Sequence, residues 1–343
     1  MNVAITGVTG YAGMQLYSLL QEHIEVDVIT VYQHDLTEPV SLAELNPRLN
    51  LAADDWAYPY DSDAVMADND IIFFATPAGI TSQLAQPYLE HNFPVIDLSG
   101  DFRLKDPAEY QKWYHQDPAK AADLASAYYG LTDIYENPGM TYIANPGCYA
   151  TATLLGLAPA VMCDLIEPDS IVVDAKSGLS GAGKGLSTAS HFSQANENLQ
   201  VYKANEHKHI PEILAELKKW NPKVQQLQFM TTLVPIDRGI MATIYAKVKP
   251  GVSEETILAH YHSLYDENPF IQVYDQTLPD IKSVLATNNC KIGLVYNETT
   301  GYLMVVSVID NMIKGAAGQA IQNMNQFFNF PVTTGLELSQ IAF

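Results

Sequence analysis

The 343-residue sequence predicts an α/β protein built as a doubly wound parallel sheet followed by a second, α+β domain. Three observations predict it. Strand-like and helix-like runs alternate through residues 1–145. A loop with regularly spaced glycines, GVTGYAG, joins the first strand-like run to the first helix-like one. Beyond Cys148 strand-like runs dominate and few helices separate them.

The elements follow in order. NVAIT (Asn2 to Thr6) is a short apolar run that stops at Gly7, and MQLYSLLQEH then reads as a helix. EVDVITVY is the second strand. IIFFAT (Ile71 to Thr76) is continuously apolar, the pattern of a parallel strand covered on both faces. A helix over about 78–91 and the strand PVIDLS complete the alternation. In the second part IVVDAKSG, QLQFMTTLVP, GIMATIYAKVKP, IGLVYN and YLMVVSVID read as strands of a mixed or antiparallel sheet, with helices over about 209–220 and 253–267. The last helix, NMIKGAAGQAIQNMNQFF, carries Gly315, Ala316, Ala317 and Gly318, small enough for very close packing.

Composition narrows the function classes. The chain is 48% hydrophobic, enough for a large core, and its net charge of −21 argues against nucleic acid or an anionic membrane as partner. No run of about 20 apolar residues reads as a membrane span. MNVAITGVTGYAG has no basic start and is broken by glycine, so it does not read as a signal peptide. Three scattered cysteines with no CxxC or Cys/His cluster point to neither disulfides nor a metal site. The reading is a cytoplasmic enzyme without disulfides.

Five stretches carry chemistry. In GVTGYAG, Gly7, Gly10 and Gly13 permit a tight strand-to-helix turn, and the helix start offers free N–H groups to a pyrophosphate, so the first domain is Rossmann-like. A plain turn is the alternative. At the end of the second strand an acid favours NAD and a basic residue NADP; Gln33, His34 and Asp35 decide neither.

Cys148 follows Asn145-Pro146-Gly147 and precedes an apolar helix-like run. A thiol at a helix start is biased toward the thiolate, and the same N–H groups stabilise an oxyanion. Against this, free cysteine is commonly a buried packing residue; Cys163 and Cys290 are read that way, and for Cys148 both readings stay open.

NEHKHIPEI supplies His207, His209 and Glu212 as acid/base candidates, with His209 and Glu212 three apart on one helix face. The alternative is a polar helix start with solvated histidines, the reading given to the other seven. Arg103 in DLSGDFRL and the second glycine loop SGLSGAGKG (Ser177 to Gly185) are candidate anion- and cofactor-binding elements.

Taken together these motifs resemble the N-acetyl-γ-glutamyl-phosphate reductase family, over nearly the whole chain and in order: GVTGYAG, VIDLSGDFRL, YGLTDI, ANPGCYATATLLGLAP, AKSGLSGAGKG, HKHIPEI, LVPIDRGI and IDNMIKGAAGQAIQNMN. The resemblance implies an enzyme of arginine biosynthesis that reduces an acyl phosphate with NADPH through a thioester on cysteine. Its second domain would be a catalytic and dimerisation domain of the semialdehyde-dehydrogenase type, spanning 146–310. The C-terminal helix, about 311–328, would return to the dinucleotide-binding domain 1–145.

By the same resemblance Cys148 is the nucleophile and His209 the acid/base. Arg103, His207, Glu212 and Ser180 would serve the substrate, with Glu212 supporting His209. Gly7, Thr9, Gly10, Tyr11, Ala12, Gly13, Ser177, Gly178, Gly181 and Asn311 would hold NADP(H). No metal is implied, and the assembly would be a homodimer or homotetramer.

The chain departs from the family pattern in places. Gln33-His34 stands where Ser or Arg is usual, Asp133 replaces a glutamate in YGLTDI, and Glu206 stands where a small residue is common. A carboxylate at 206 would favour the charged form of His207. An aspartate-semialdehyde dehydrogenase, a non-catalytic nucleotide sensor and a cysteine hydrolase remain alternatives. HKHIPEI and GAAGQAIQNMN speak against the first, the retained Cys148, His209 and Arg103 against the second, and the opening glycine loop against the third.

Overall fold

The computed structural model describes residues 1–47 and 55–337. It divides into two compact units, one of Met1–Pro146 with Ala316–Glu337, the other containing Gly147–Gly315.

The first unit holds strands β1 (Asn2–Thr6), β2 (Val28–Gln33), β3 (Val40–Ser41), β4 (Trp56–Pro59), β5 (Ile71–Phe74), β6 (Val95–Asp97), β7 (Tyr128–Tyr129) and β8 (Tyr142–Ala144). They form one sheet in the order β3-β4-β2-β1-β5-β6-β8-β7. Every pairing is parallel except that of the edge strand β3 with β4. β1 pairs with β2 on one side and β5 on the other, so the loop after β1 sits where the strand order reverses. That is the place where open α/β sheets bind ligands. β5 is buried along its whole length, as its unbroken apolar run predicts.

The helix expected over 78–91 is two short helices, Thr81–Leu84 and Gln86–His91. Pro87 has no N–H to continue the first, so the chain restarts around it, and Asn92 closes the second in the left-handed conformation (φ 51°). The C-terminal helix is Gly318–Phe327, and its inner face meets the end of the first helix, Tyr11–Gln21. There His23 corrects the expectation of a solvated imidazole. It is buried, its Nε2 lies 2.9 Å from Asn325 Oδ1, and its Nδ1 accepts the N–H of Glu25 at 3.3 Å. The packing partner that buries it is over 300 residues away in sequence, beyond the reach of local pattern.

The second unit holds β9 (Val172–Ser177), β10 (Gln200–Tyr202), β11 (Gln228–Leu233), β12 (Ile240–Lys247), β13 (Ile271–Tyr274), β14 (Cys290–Asn297) and β15 (Tyr302–Ile309), in the order β10-β11-β9-β12-β15-β14-β13. The sheet is mixed: β9/β11 and β13/β14 are parallel, the other pairs antiparallel.

The helix Cys148–Met162 packs on β12 and β15, and His209–Trp220 and Glu254–Tyr265 pack against that helix. Gly156 allows the close approach: a Cβ there would stand 3.0 Å from Ile244 Cδ1 and 3.1 Å from Ser307 Cβ. Tyr261 and Tyr265 donate to the carbonyls of Gly156 and Leu155 at 2.7 and 2.6 Å. Ile244 points to this helical side, so its neighbour Tyr245 points to the other. Tyr245 continues a row across four strands, Val172–Tyr245–Met304–Val295, in which Val172, Tyr245 and Val295 are exposed. Among the described residues no helix is long and apolar enough to cross a membrane.

Candidate active site

Cys148 is the first residue of the helix Cys148–Met162. Gly147, the residue before the helix, adopts an extended conformation (φ −75°, ψ 149°) with no side-chain cap, and its carbonyl accepts the N–H of Thr151 at 2.8 Å. The next thirteen residues, Tyr149 to Val161, are buried, whereas Cys148 is partly accessible. The sequence therefore folds into an apolar helix anchored along its length, with its thiol residue at the electropositive start.

The other two cysteines differ. Cys290 is buried on β14, its Sγ 3.5 Å from Ser307 Oγ. Cys163 was expected to be a buried packing residue and is exposed, because it sits at the C-terminal end of the helix where the chain turns out of it (φ −92°, ψ 8°).

The two histidines converge on the residue beside the thiol. His209 begins the helix His209–Trp220 and His207 lies just before it; both are buried, at 5% and 8% exposure, rather than solvated. The N–H of His209 donates to His207 Nδ1 at 3.2 Å. The two rings are 4.6 Å apart and steeply inclined. The ring of Tyr149 meets His207 edge-on at 5.2 Å and His209 at 6.1 Å. Tyr149 Oη lies 3.0 Å from Tyr202 Oη.

Glu206 does not favour a charged His207 as expected. It is exposed, and burial pushes the His207 imidazole down to about 3, with Lys208 and Lys203 adding to the effect. Glu212 shares the helix with His209, and its Oε1 accepts the N–H of Gly147 at 2.7 Å. A buried carboxylate thus holds the start of the cysteine helix, a role that spacing did not reveal because its partner is 65 residues away.

The second glycine loop is knitted to two other segments. Ser177 ends β9, and Leu179–Ala182 form a single 3₁₀ turn. A Cβ on Gly178 would stand 2.6 Å from the carbonyl oxygen of Asp237, and one on Gly181 2.6 Å from Ser177 Oγ. Ser180 Oγ donates to the Asp237 carbonyl at 2.7 Å and receives Asn311 Nδ2 at 3.1 Å. Asn311 Oδ1 accepts the N–H of Gly239 at 2.7 Å.

Asp310 was given no role from sequence. It is buried and accepts from Arg238, from the N–H groups of Met312 and Ile313, and from Ala286. IDRGI and IDN were visible as motifs, yet only the folded loops show that they brace one another. Gly315, a few residues on, sits in a π-helical turn, Ile313–Ala317, against Cys148: a Cβ there would stand 2.7 Å from Cys148 Cβ.

In the first unit, the loop after β1 separates its three glycines by purpose. Gly7 (φ 98°) and Gly13 are required by packing, since a Cβ would fall 2.5 Å from the Ala75 carbonyl oxygen and 2.2 Å from the Gly7 carbonyl oxygen. At Gly10 the nearest atom to an added Cβ is 3.6 Å away, so packing does not demand glycine there. Gly10 caps the helix Tyr11–Gln21 with no side-chain acceptor, and the first turn holds no acid. This electropositive helix start, with no side-chain cap and no acid in its first turn and with Thr9, Tyr11 and Ala12 beside it, fits the pyrophosphate of a dinucleotide. Gln33 at the end of β2 is buried and donates to Asp35 Oδ1 at 3.3 Å, and His34 is exposed.

Arg103 is buried and donates through Nε to the Asn145 carbonyl at 2.8 Å and through Nη2 to the Leu98 carbonyl at 3.0 Å. Asn145 is held further by Asn323 Nδ2 at 3.0 Å. Nearby, burial and the neighbouring Asp101 push Asp97 up to about 7. Asp133 accepts Gln322 Nε2 at 3.1 Å. No cluster of candidate metal ligands is formed among the described residues.

Two family models divide the chain. Residues 2–139 match the semialdehyde dehydrogenase NAD-binding domain, and 148–311 the semialdehyde dehydrogenase dimerisation domain. N-acetyl-gamma-glutamyl-phosphate reductase of Limosilactobacillus fermentum is 55% identical over 336 residues, 98% of each chain. The enzyme of that name from Listeria monocytogenes is 47% identical over 337 residues, again 98% of each chain. Among solved structures, aspartate semialdehyde dehydrogenase II of Vibrio cholerae superposes with a TM-score of 0.69 at 18% identity, covering 96% of this chain and 98% of the other. That likeness is one of fold. The sequence identity along the full length and the two matched domains together make the chain a member of the N-acetyl-γ-glutamyl-phosphate reductase family, on a semialdehyde dehydrogenase fold.

Proposed function

We propose that the protein reduces N-acetyl-γ-glutamyl phosphate to N-acetyl-glutamate 5-semialdehyde and phosphate, in arginine biosynthesis, with NADPH as reductant. The observation that carries this is Cys148 as the first residue of a buried helix, with His207 and His209 packed against its neighbour Tyr149. It stands beside a 55% identical relative that bears the activity in its name.

The chemistry follows from what these groups can do. The Cys148 thiolate attacks the γ-carbonyl carbon, phosphate departs with the electron pair of the C–O bond, and a thioester remains. NADPH, held by the glycine loop Gly7–Gly13, would supply the hydride that reduces the thioester. The oxyanion of the resulting thiohemiacetal is stabilised by N–H groups at the helix start. His209 manages the proton at that oxygen, giving it in one direction and removing it as the C–S bond breaks. The aldehyde is released and the thiolate restored. Glu212 keeps the helix start in place through Gly147. The loop Ser177–Ala182, braced by Asn311, would present its backbone to the substrate. In the first unit the start of helix Tyr11–Gln21, which lacks a side-chain cap, would hold the pyrophosphate.

The enzyme is read as a cytoplasmic homodimer or a tetramer built from such dimers. The matched dimerisation domain and the exposed apolar row Val172–Tyr245–Met304–Val295 support a second copy on the open sheet face. The test of function is the reverse reaction. Purified protein with N-acetyl-glutamate 5-semialdehyde, NADP⁺ and phosphate should form NADPH only when phosphate is present. A parallel reaction with NAD⁺ decides the cofactor question posed by Gln33 and His34. Turnover of aspartate semialdehyde alone, with none of the acetylated substrate, would replace this reading by the aspartyl one.

A further inference from the structure

We infer that the two histidines divide their labour: His207 is a permanently neutral hydrogen-bond donor to a substrate oxygen, its proton held on Nε2, and His209 alone exchanges protons. The inference deepens the reductase reading and rests on it. Its core is one hydrogen bond. The backbone N–H of His209 points at His207 Nδ1 from 3.2 Å, so Nδ1 must offer a lone pair. A neutral imidazole with an accepting Nδ1 carries its hydrogen on Nε2. Protonating Nδ1 would set two donors face to face at the start of a helix, where the backbone already carries partial positive charge.

The ring is buried among uncharged side chains, which withhold the solvation that a charged imidazole needs. The helix Cys148–Met162 presents Tyr149, its ring nearly perpendicular to the imidazole with centroids 5.2 Å apart. β10 presents Tyr202 at 6.0 Å, and β11 the uncharged ring of Phe229 at 6.1 Å. Tyr149 and Tyr202 are both driven toward the protonated phenol, chiefly by burial, Tyr202 to about 12. Lys203 and Lys208 are the charged groups acting on the ring, and both repel a proton. Of the carboxylates on the same segment, Glu206 is exposed and Glu212 is engaged with the N–H of Gly147. The other imidazole, His209, is 4.6 Å away, and a neutral His207 lets it become charged without like-charge repulsion. A neutral donor can stabilise an oxyanion without surrendering a proton to it, so the timing of proton transfer stays with His209.

The experiment joins a spectroscopic and a kinetic arm. Protein labelled with ¹⁵N-histidine is titrated from about pH 5.5 to about pH 8.5, reading two-bond ¹H–¹⁵N correlations, with His207→Gln assigning the resonance. His207 should keep the Nε2–H pattern throughout. In kinetics, the Gln amide supplies a neutral donor near the position of Nε2. His207→Gln should therefore lose less than about 10² in kcat/KM and keep the acid limb of the wild-type pH profile, whereas His207→Leu should lose about 10²–10³ with the same limb. His209→Gln should lose that limb. An imidazolium at position 207 near pH 6, or an Nδ1–H tautomer, would overturn the inference, as would a His207→Gln profile without the acid limb. Absence of turnover in the wild type would instead strike the reductase reading, since the NMR arm needs no substrate.

Discussion

Gly315→Ala tests whether the π turn sets the position of the nucleophile. The added methyl would lie 2.7 Å from Cys148 Cβ and 3.2 Å from its Cα. Carbon atoms in contact need about 3.5–4.0 Å, so the two segments must separate by about 1 Å. Neither yields freely. The N–H of Gly315 bonds the Asp310 carbonyl at 3.0 Å, and the Asp310 carboxylate holds the turn through Met312 and Ile313. On the other side the cysteine helix is buried over its next thirteen residues. Overpacking of this kind costs about 1–3 kcal/mol, a few degrees of melting temperature in a chain this size. A misplacement of about 1 Å at the reacting group costs about 10²-fold in rate. The expected result is thus a large fall in kcat with a small fall in stability. The assay pairs the phosphate-dependent reverse reaction with iodoacetamide alkylation of Cys148, read by peptide mapping because Cys163 is also exposed. A Gly315→Ala protein with wild-type kcat and wild-type alkylation would refute the argument, since the contact would then relax without moving the thiol.

Three further outcomes follow from contacts elsewhere. Gly10→Ala should fold normally and bind NADPH more weakly, whereas Gly13→Ala, with its methyl 2.2 Å from the Gly7 carbonyl oxygen, should lose stability; melting curves and cofactor titration separate the two. Glu212→Ala leaves the N–H of Gly147 without its acceptor and should destabilise by about 1–3 kcal/mol, while Glu212→Gln retains an acceptor oxygen and should lose less; equal losses by denaturant titration would assign the effect to charge alone. His262 is raised above its ordinary value by its hydrogen bonds to Asp266 and Asp275. Its contribution is fully present below about pH 6.5 and is lost as pH rises through the raised folded value; being a surface cluster it is worth at most about 1 kcal/mol. His262→Gln should flatten that part of the stability profile.

Much of the framework is legible in local pattern because the forces that make it are local. The continuous apolar run at Ile71–Phe74 is the pattern of a strand covered on both faces, and the glycines of GVTGYAG mark a tight turn with close backbone approach at Gly7 and Gly13. What pattern does not carry is the identity of distant partners. Gln86–His91 became a separate helix because Pro87 lacks an N–H, a local cause that periodicity overlooks. His23 was misread because the group that buries it, Asn325, arrives from the other end of the chain. The charge of His207 was misread for a related reason. Glu206 is adjacent in sequence but exposed, while Tyr149 and Phe229, distant in sequence, join the nearby Tyr202 around the buried ring.

The same distinction explains how the candidate site divides its tolerance to change. The cysteine helix is fixed through its interior: Tyr261 and Tyr265 hold its Gly156 and Leu155 carbonyls, and Gly156 lies flush on β12 and β15. These contacts involve many atoms, so losing one spreads its cost over the whole unit and shows as stability. The first turn is fixed by few contacts, the Glu212 carboxylate on Gly147 and the bare backbone of Gly315 against Cys148. Changes there cost about 1–3 kcal/mol of folding energy and in addition shift the one atom that must meet the substrate. A helix anchored in this way places the residues that aim the thiol at its first turn, where a short list of substitutions can reach them and where the loss of activity should exceed the loss of stability.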